Sequence, residues 1–193
     1  MVQDTDGNSV KVGVPYHALP VRGAGGGGGG GLALAPNKNH TKICPLSVVR
    51  SRRQASRGLP ISFFPVVHNA PAAERGVVSS STDHIFVFNL TCGRICGAAP
   101  MWRRDALDKS VGKYFITATS TVMTTDMEDR FKIEHFGRIG EAPIYKLSYC
   151  PTVCNTCEKA LCKDIGVHSD DKDGFQRLAL TNDSPILVRF KKV

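Results

Sequence analysis

The 193-residue chain lacks the short motifs that mark most enzymes. It has no G-x-S-x-G elbow, no G-x-x-x-x-G-K-[ST] phosphate loop and no H-E-x-x-H zinc motif. The six histidines, His17, His40, His68, His84, His135 and His168, stand apart from one another, so none is read as a ligand, no catalytic residue emerges and no cofactor is called for. No apolar stretch approaches the ~18 residues of a membrane span, and Met1–Val12 is polar, with no basic region running into an apolar block. Neither a membrane partner nor a signal segment is therefore expected within this chain. Aromatic residues are few, at 7%, and the single tryptophan, Trp102, is expected in the core. Long helices are disfavoured by 19 glycines and 11 prolines spread along the chain. Acidic residues are the minority, 17 against 25 Lys and Arg, for a net charge of +8. The basic residues are scattered apart from Arg50-Ser51-Arg52-Arg53 and Lys191-Lys192, so no nucleic-acid partner is expected.

What remains is enough apolar sequence, 41%, for one folded domain over residues 1–193. Short β-branched or alternating runs recur with turn residues between them: Val10–Val14, Tyr16–Val21, Leu32–Ala35, Leu46–Val49, Ile61–Phe64 and Ile85–Phe88. They continue through Tyr114–Thr119, Phe131–Ile133, Ile144–Tyr149, Ile165–His168, Arg177–Leu180 and Ile186–Phe190. That cadence predicts an all-β domain. Two short helices are expected, over Arg104–Val111 and Cys157–Ile165. The tyrosine-led runs at Tyr16, Tyr114 and Tyr145, one in each third of the chain, suggest a pseudo-threefold repeat. The glycine run Gly25–Gly31 is read as a loose surface connection, because Pro36 follows too soon for a phosphate-binding helix. Arg50–Arg53 is read as a solvated strand end.

Seven cysteines leave two readings open. Cys154-x2-Cys157 has zinc-knuckle spacing, and Cys92-x3-Cys96 could supply a second thiolate pair. Alternatively the cysteines form disulfides in a secreted or vacuolar protein, with one left over. The sequons Asn39-His40-Thr41 and Asn89-Leu90-Thr91 fit the second reading and make Asn39 and Asn89 candidate glycosylation sites.

The order of several blocks resembles the plant Kunitz inhibitors of the soybean trypsin inhibitor type, and within them the miraculin-like branch. The blocks are Val12-Gly13-Val14-Pro15-Tyr16, Cys44-Pro45-Leu46-Ser47-Val48-Val49, Ser81-Thr82-Asp83, Trp102-Arg103 and Phe131-Lys132-Ile133-Glu134. They end with Tyr145-Lys146-Leu147-Ser148-Tyr149-Cys150-Pro151-Thr152-Val153-Cys154, Cys162-Lys163-Asp164-Ile165-Gly166-Val167 and Arg177-Leu178-Ala179-Leu180. The resemblance runs almost from end to end. It implies a β-trefoil of twelve strands in three similar units. It also implies the disulfides Cys44–Cys96, Cys150–Cys162 and Cys154–Cys157, with Cys92 left as a free or intermolecular thiol, hence a monomer or a Cys92-linked dimer. No metal is then implied.

The function implied is inhibition of a trypsin-like serine protease, in plant defence, by an exposed substrate-like loop. The loop maps to Pro65, Val66, Val67, His68, Asn69, Ala70 and Pro71, extending to Arg75 and Gly76. Counting from Cys44 puts the residue that enters the protease pocket at His68. Trypsin's pocket holds a buried carboxylate that selects Arg or Lys, and Arg75 is the only such residue in the stretch. The family's loop is braced from inside by an asparagine whose position corresponds here to Val12, and a valine side chain cannot make those bonds. The alternative implied is a seed storage or defence protein of the same fold with weak or lost inhibition.

Overall fold

Short apolar and β-branched runs, largely buried, form twelve strands among the described residues. The computed structural model describes residues 1–21, 29–37, 44–66, 76–90, 100–119, 126–152, 161–169 and 173–193. Within these residues the order is β1 Tyr16–Pro20, β2 Leu32–Ala35, β3 Leu46–Arg50, β4 Ile61–Pro65, β5 His84–Phe88 and β6 Met101–Asp108. β7 Lys113–Thr119, β8 Lys132–Ile139, β9 Ala142–Tyr149, β10 Lys163–Ser169, β11 Gln176–Thr181 and β12 Leu187–Lys192 complete it. The helical content among the described residues is one 3-10 turn, Met127–Asp129.

Every strand pairing is antiparallel. Starting from β1, the ladder runs β1, β4, β5, β6, β7, β3, β11, β10, β9, β12 and back to β1. Ten strands thus pair in a closed ring, with β2 added to β3 and β8 added to β9. Closure satisfies the backbone groups that an open edge would leave unpaired.

The few aromatic residues are concentrated inside. Phe86 packs on Phe63 at 4.9 Å between ring centres, on Trp102 at 5.2 Å and on Phe131 at 5.5 Å. Phe63 continues the chain of rings to Phe190 and Tyr145. Trp102, Phe86, Phe88 and Phe131 are fully buried, and each such side chain contributes about 1.5–3 kcal/mol by leaving water.

Four sequence expectations are corrected. The segment Arg104–Val111 is not helical: it forms the end of β6 and the turn after it, paired to β7 with a register shift between Arg104 and Leu107. Pairing with β7 and the seat of the Arg104 guanidinium over the Tyr114 and Tyr149 rings override its helical propensity. In the second expected helix, Lys163–Ile165 starts β10, and Cys157–Ala160 lies outside the described residues. The end of the glycine run is no loose connection. Gly30 donates its N–H to the Ser51 carbonyl and Gly31 to the Ser56 carbonyl, and a Cβ on Gly31 would run into the Arg57 carbonyl. Arg50 likewise is buried rather than solvated, with its Nε donating to Gln176 Oε1 at 3.0 Å.

Candidate functional site

The segment expected to face a protease leaves the barrel at the end of β4 and returns before β5. β4 and β5 pair in register from Ile61↔Phe88 to Pro65↔His84, so the two ends are set side by side. Pro65 ends β4 half-buried, and Val66 donates its N–H to the Asp83 carbonyl at 3.0 Å. Val67, His68, Asn69, Ala70, Pro71 and Arg75 lie outside the described residues. The chain is described again from Gly76, whose φ of +92° suits a residue without a side chain.

The returning end is held by the opening segment. Val12 donates its backbone N–H to the Gly76 carbonyl at 2.9 Å, Lys11 bridges to Val77, and Val78 donates to the Val10 carbonyl at 2.8 Å. The valine side chain at position 12 packs against the core. Val12 thus anchors the returning end through its backbone N–H, whereas its side chain makes none of the bonds an asparagine would. Val10–Val14 does not become a regular strand; it forms isolated bridges, interrupted at Gly13, whose φ is +73°.

Beneath the departing end, Ser62 is fully buried. Its hydroxyl donates to the Gly13 carbonyl at 3.0 Å and accepts from Asn89 Nδ2 at 2.7 Å. The candidate glycosylation site Asn89 is therefore half-buried and already bonded within the barrel; Asn39 lies outside the described residues.

Two buried side chains open β5. The Asp83 carboxylate accepts from the Thr152 N–H at 2.9 Å and from the Thr152 hydroxyl at 3.3 Å, and the Lys132 ammonium stands 3.6 Å away. His84 is 1% exposed, and its Nδ1 faces the Thr82 carbonyl at 2.9 Å. Burial holds the His84 imidazole below its ordinary pKa near 6.5, partly offset by the bond to Thr82 and by the Asp83 charge. The block Ser81-Thr82-Asp83 was visible in the sequence, but nothing there indicated that Asp83 would meet Thr152 and Lys132.

Cys150 and Cys162 are joined by a disulfide, and Cys44 is disulfide-bonded. Cys92, Cys96, Cys154 and Cys157 lie outside the described residues. A cavity of about 550 Å³ lies elsewhere, lined by residues that include Ser47, Asp108, Phe115 and Arg177. The Arg177 guanidinium there is engaged by Asp173 at 2.6 and 2.9 Å and by Ser47 Oγ at 3.3 Å. It offers no spare charge to a ligand.

An antiparallel barrel that pins both ends of one connecting segment is the arrangement of a presenting scaffold, and comparison with known proteins agrees. Residues 2–192 match the legume Kunitz family described as trypsin and protease inhibitors. The chain belongs to that family, whose members are protease inhibitors and not enzymes. It is 36% identical to miraculin from Synsepalum dulcificum, over 99% of this chain and 82% of that protein. It is 38% identical to the 21 kDa seed protein of Theobroma cacao, over 99% of this chain and 80% of that one. Soybean trypsin inhibitor in its complex with porcine pancreatic trypsin superposes with a TM-score of 0.71 at 26% identity, covering 100% of this chain and 98% of the other.

Proposed function

We propose that this protein inhibits a trypsin-like serine protease by presenting residues 65–76 as a substrate-like loop. The observation that carries the reading is the double clamp. Val66 is held by Asp83 on one side, and Gly76 is held by Val12 on the other. A segment fixed at both ends has lost conformational freedom before docking, so less of the binding free energy goes into ordering it, roughly 0.5–1.5 kcal/mol for each side chain that need not be immobilised. His68 occupies the position counted to enter the protease pocket, followed by Asn69, with Arg75 the only fixed positive charge in the stretch.

The scaffold is a β-trefoil in this reading. The first and last strands of each four-strand unit meet: β1 pairs with β4, β9 with β12, and His84 at the start of β5 bridges to Phe131, just before β8. The units are joined by β4–β5, β8–β9 and β12–β1. Disulfides at Cys44 and between Cys150 and Cys162 support a secreted or vacuolar location. Cys44–Cys96 and Cys154–Cys157 complete the pairing, leaving Cys92 for a monomer with a free thiol or a linked dimer.

Titration of trypsin and chymotrypsin, followed by sequencing of the slow nick that the bound protease leaves, tests the function and identifies the pocket-entering residue. Inhibition with a nick between residues 67 and 76 is the expected result. No inhibition of either enzyme at micromolar protein would favour the second reading, a seed storage or defence protein, which the similarity to the cacao seed protein supports.

A further inference from the structure

The geometry points to Asp83 as a positioning residue of the loop, coupling the place where the loop leaves the barrel to the disulfide-closed segment that begins at Cys150. This inference rests on the reading of residues 65–76 as the inhibitory loop. Asp83 acts with two different groups. Its backbone carbonyl holds the N–H of Val66, the last described residue before position 67. Its carboxylate takes both the N–H and the hydroxyl of Thr152, a residue 69 positions away in the chain. Lys132, the first residue of β8, adds its ammonium to Oδ1. Thr152 lies two residues after Cys150, inside the loop that the Cys150–Cys162 bridge closes.

A carboxylate with 4% of its side chain exposed is costly unless it is paired and hydrogen-bonded, and here two donors and a cation saturate it. Two segments remote in sequence, around Lys132 and Thr152, therefore converge on a single charged group, and together with the His84 N–H bond to the Phe131 carbonyl they fix where the carbonyl of residue 83 points. Removing the carboxylate strands the Lys132 ammonium, whose side chain is 11% exposed, and leaves the Thr152 N–H without its acceptor. With that anchor gone, the peptide that carries the Asp83 carbonyl is left to the His84–Phe131 backbone bonds, and the bond to Val66 loosens. Loss of the Cys150–Cys162 bridge acts on the same path from the far side, by releasing Thr152.

The test uses the full-length chain with Asp83→Ala, Asp83→Asn and Thr152→Ala. Leu178→Ala serves as a control for general destabilisation, because Leu178 is a fully buried residue of β11, a strand that pairs with β3, β7 and β10. Three quantities are measured well below each melting temperature: the inhibition constant for trypsin, the rate of cleavage between residues 66 and 76 by subtilisin, and the melting temperature itself. Asp83→Ala should weaken inhibition and speed cleavage by at least tenfold. Asp83→Asn, which keeps an acceptor for the Thr152 amide, should fall between it and the wild type, and Leu178→Ala should melt earlier with both other quantities unchanged. In a cycle with Cys150→Ser/Cys162→Ser, the cleavage increase should be less than the sum of the separate effects.

Cleavage that is unchanged in Asp83→Ala, or that rises no more than in Leu178→Ala, overturns the proposal, as does strict additivity with the disulfide variant. If the wild type inhibits nothing, the inhibitor reading falls, and the subtilisin rates still decide whether Asp83 holds the segment. If Asp83→Ala does not fold, Asp83→Asn and Thr152→Ala carry the test, and wild-type cleavage in both rejects it.

Discussion

The base of the loop and the β8–β9 hairpin are built from the same antiparallel pairing but are finished in opposite ways. At the base, Ser62, Asp83 and His84 are buried polar groups, each bonded to a segment that must keep its place. In the hairpin, Phe136, at a register shift between His135 and Gly137, is 56% exposed, and Ile139, paired with Ala142 at the hairpin end, is 52% exposed. At the base, buried directional bonds tie neighbouring segments together, whereas the far end of the hairpin leaves apolar side chains in water where its own ladder suffices. Exposed apolar residues are ordinary on a protein surface; a buried, fully bonded polar group marks a place where position matters.

The contrast can be broken most sharply with two phenylalanines. Phe86→Ala, in β5 at the centre of the aromatic cluster, should cost about 3–5 kcal/mol of stability by thermal or denaturant unfolding. Cys150→Ser/Cys162→Ser opens a bridge across a sequence separation of 12 and should cost about 3 kcal/mol in the chain-entropy account, read in the same way. Ser62→Ala removes the donor to Gly13 and the acceptor of Asn89, and should cost about 1–3 kcal/mol in denaturant unfolding.

His84 sharpens the comparison through pH. Its folded pKa lies below the unfolded value near 6.5, so the unfolded chain binds the extra proton first. Its contribution is complete above pH 6.5 and declines as the pH falls from there toward the depressed value. His84→Gln should flatten that decline in a melting-temperature profile, and an unchanged profile would assign it to other groups. At the small end, Phe136→Ser should change stability by no more than about 0.5 kcal/mol. A larger loss would mean that the hairpin is not finished the way its exposure indicates.

Much of the strand pattern was legible because each strand reports its own burial. Leu32–Ala35 is an apolar run stopped by Pro36, and β2 has those same bounds. β6 was missed because Arg103-Arg104-Asp105-Ala106-Leu107-Asp108 contains helix formers and no run of β-branched residues; its partner β7 decides its conformation. Val12 shows a different limit. A side chain can be read from a sequence, whereas the backbone N–H that braces Gly76 is common to nearly every residue and carries no signature.

The amino-acid order by itself determined the all-β class and the family, because periodicity and local block order are written residue by residue. Tertiary structure alone decided that Asp83 would meet Thr152 and Lys132, that Ser62 would tie Asn89 to Gly13, and that a glycine run would end locked against the Arg53–Gly58 turn. The physical reason is range: hydrophobic alternation acts over two residues, but a buried charge is satisfied by whatever the closed barrel brings within about 3 Å.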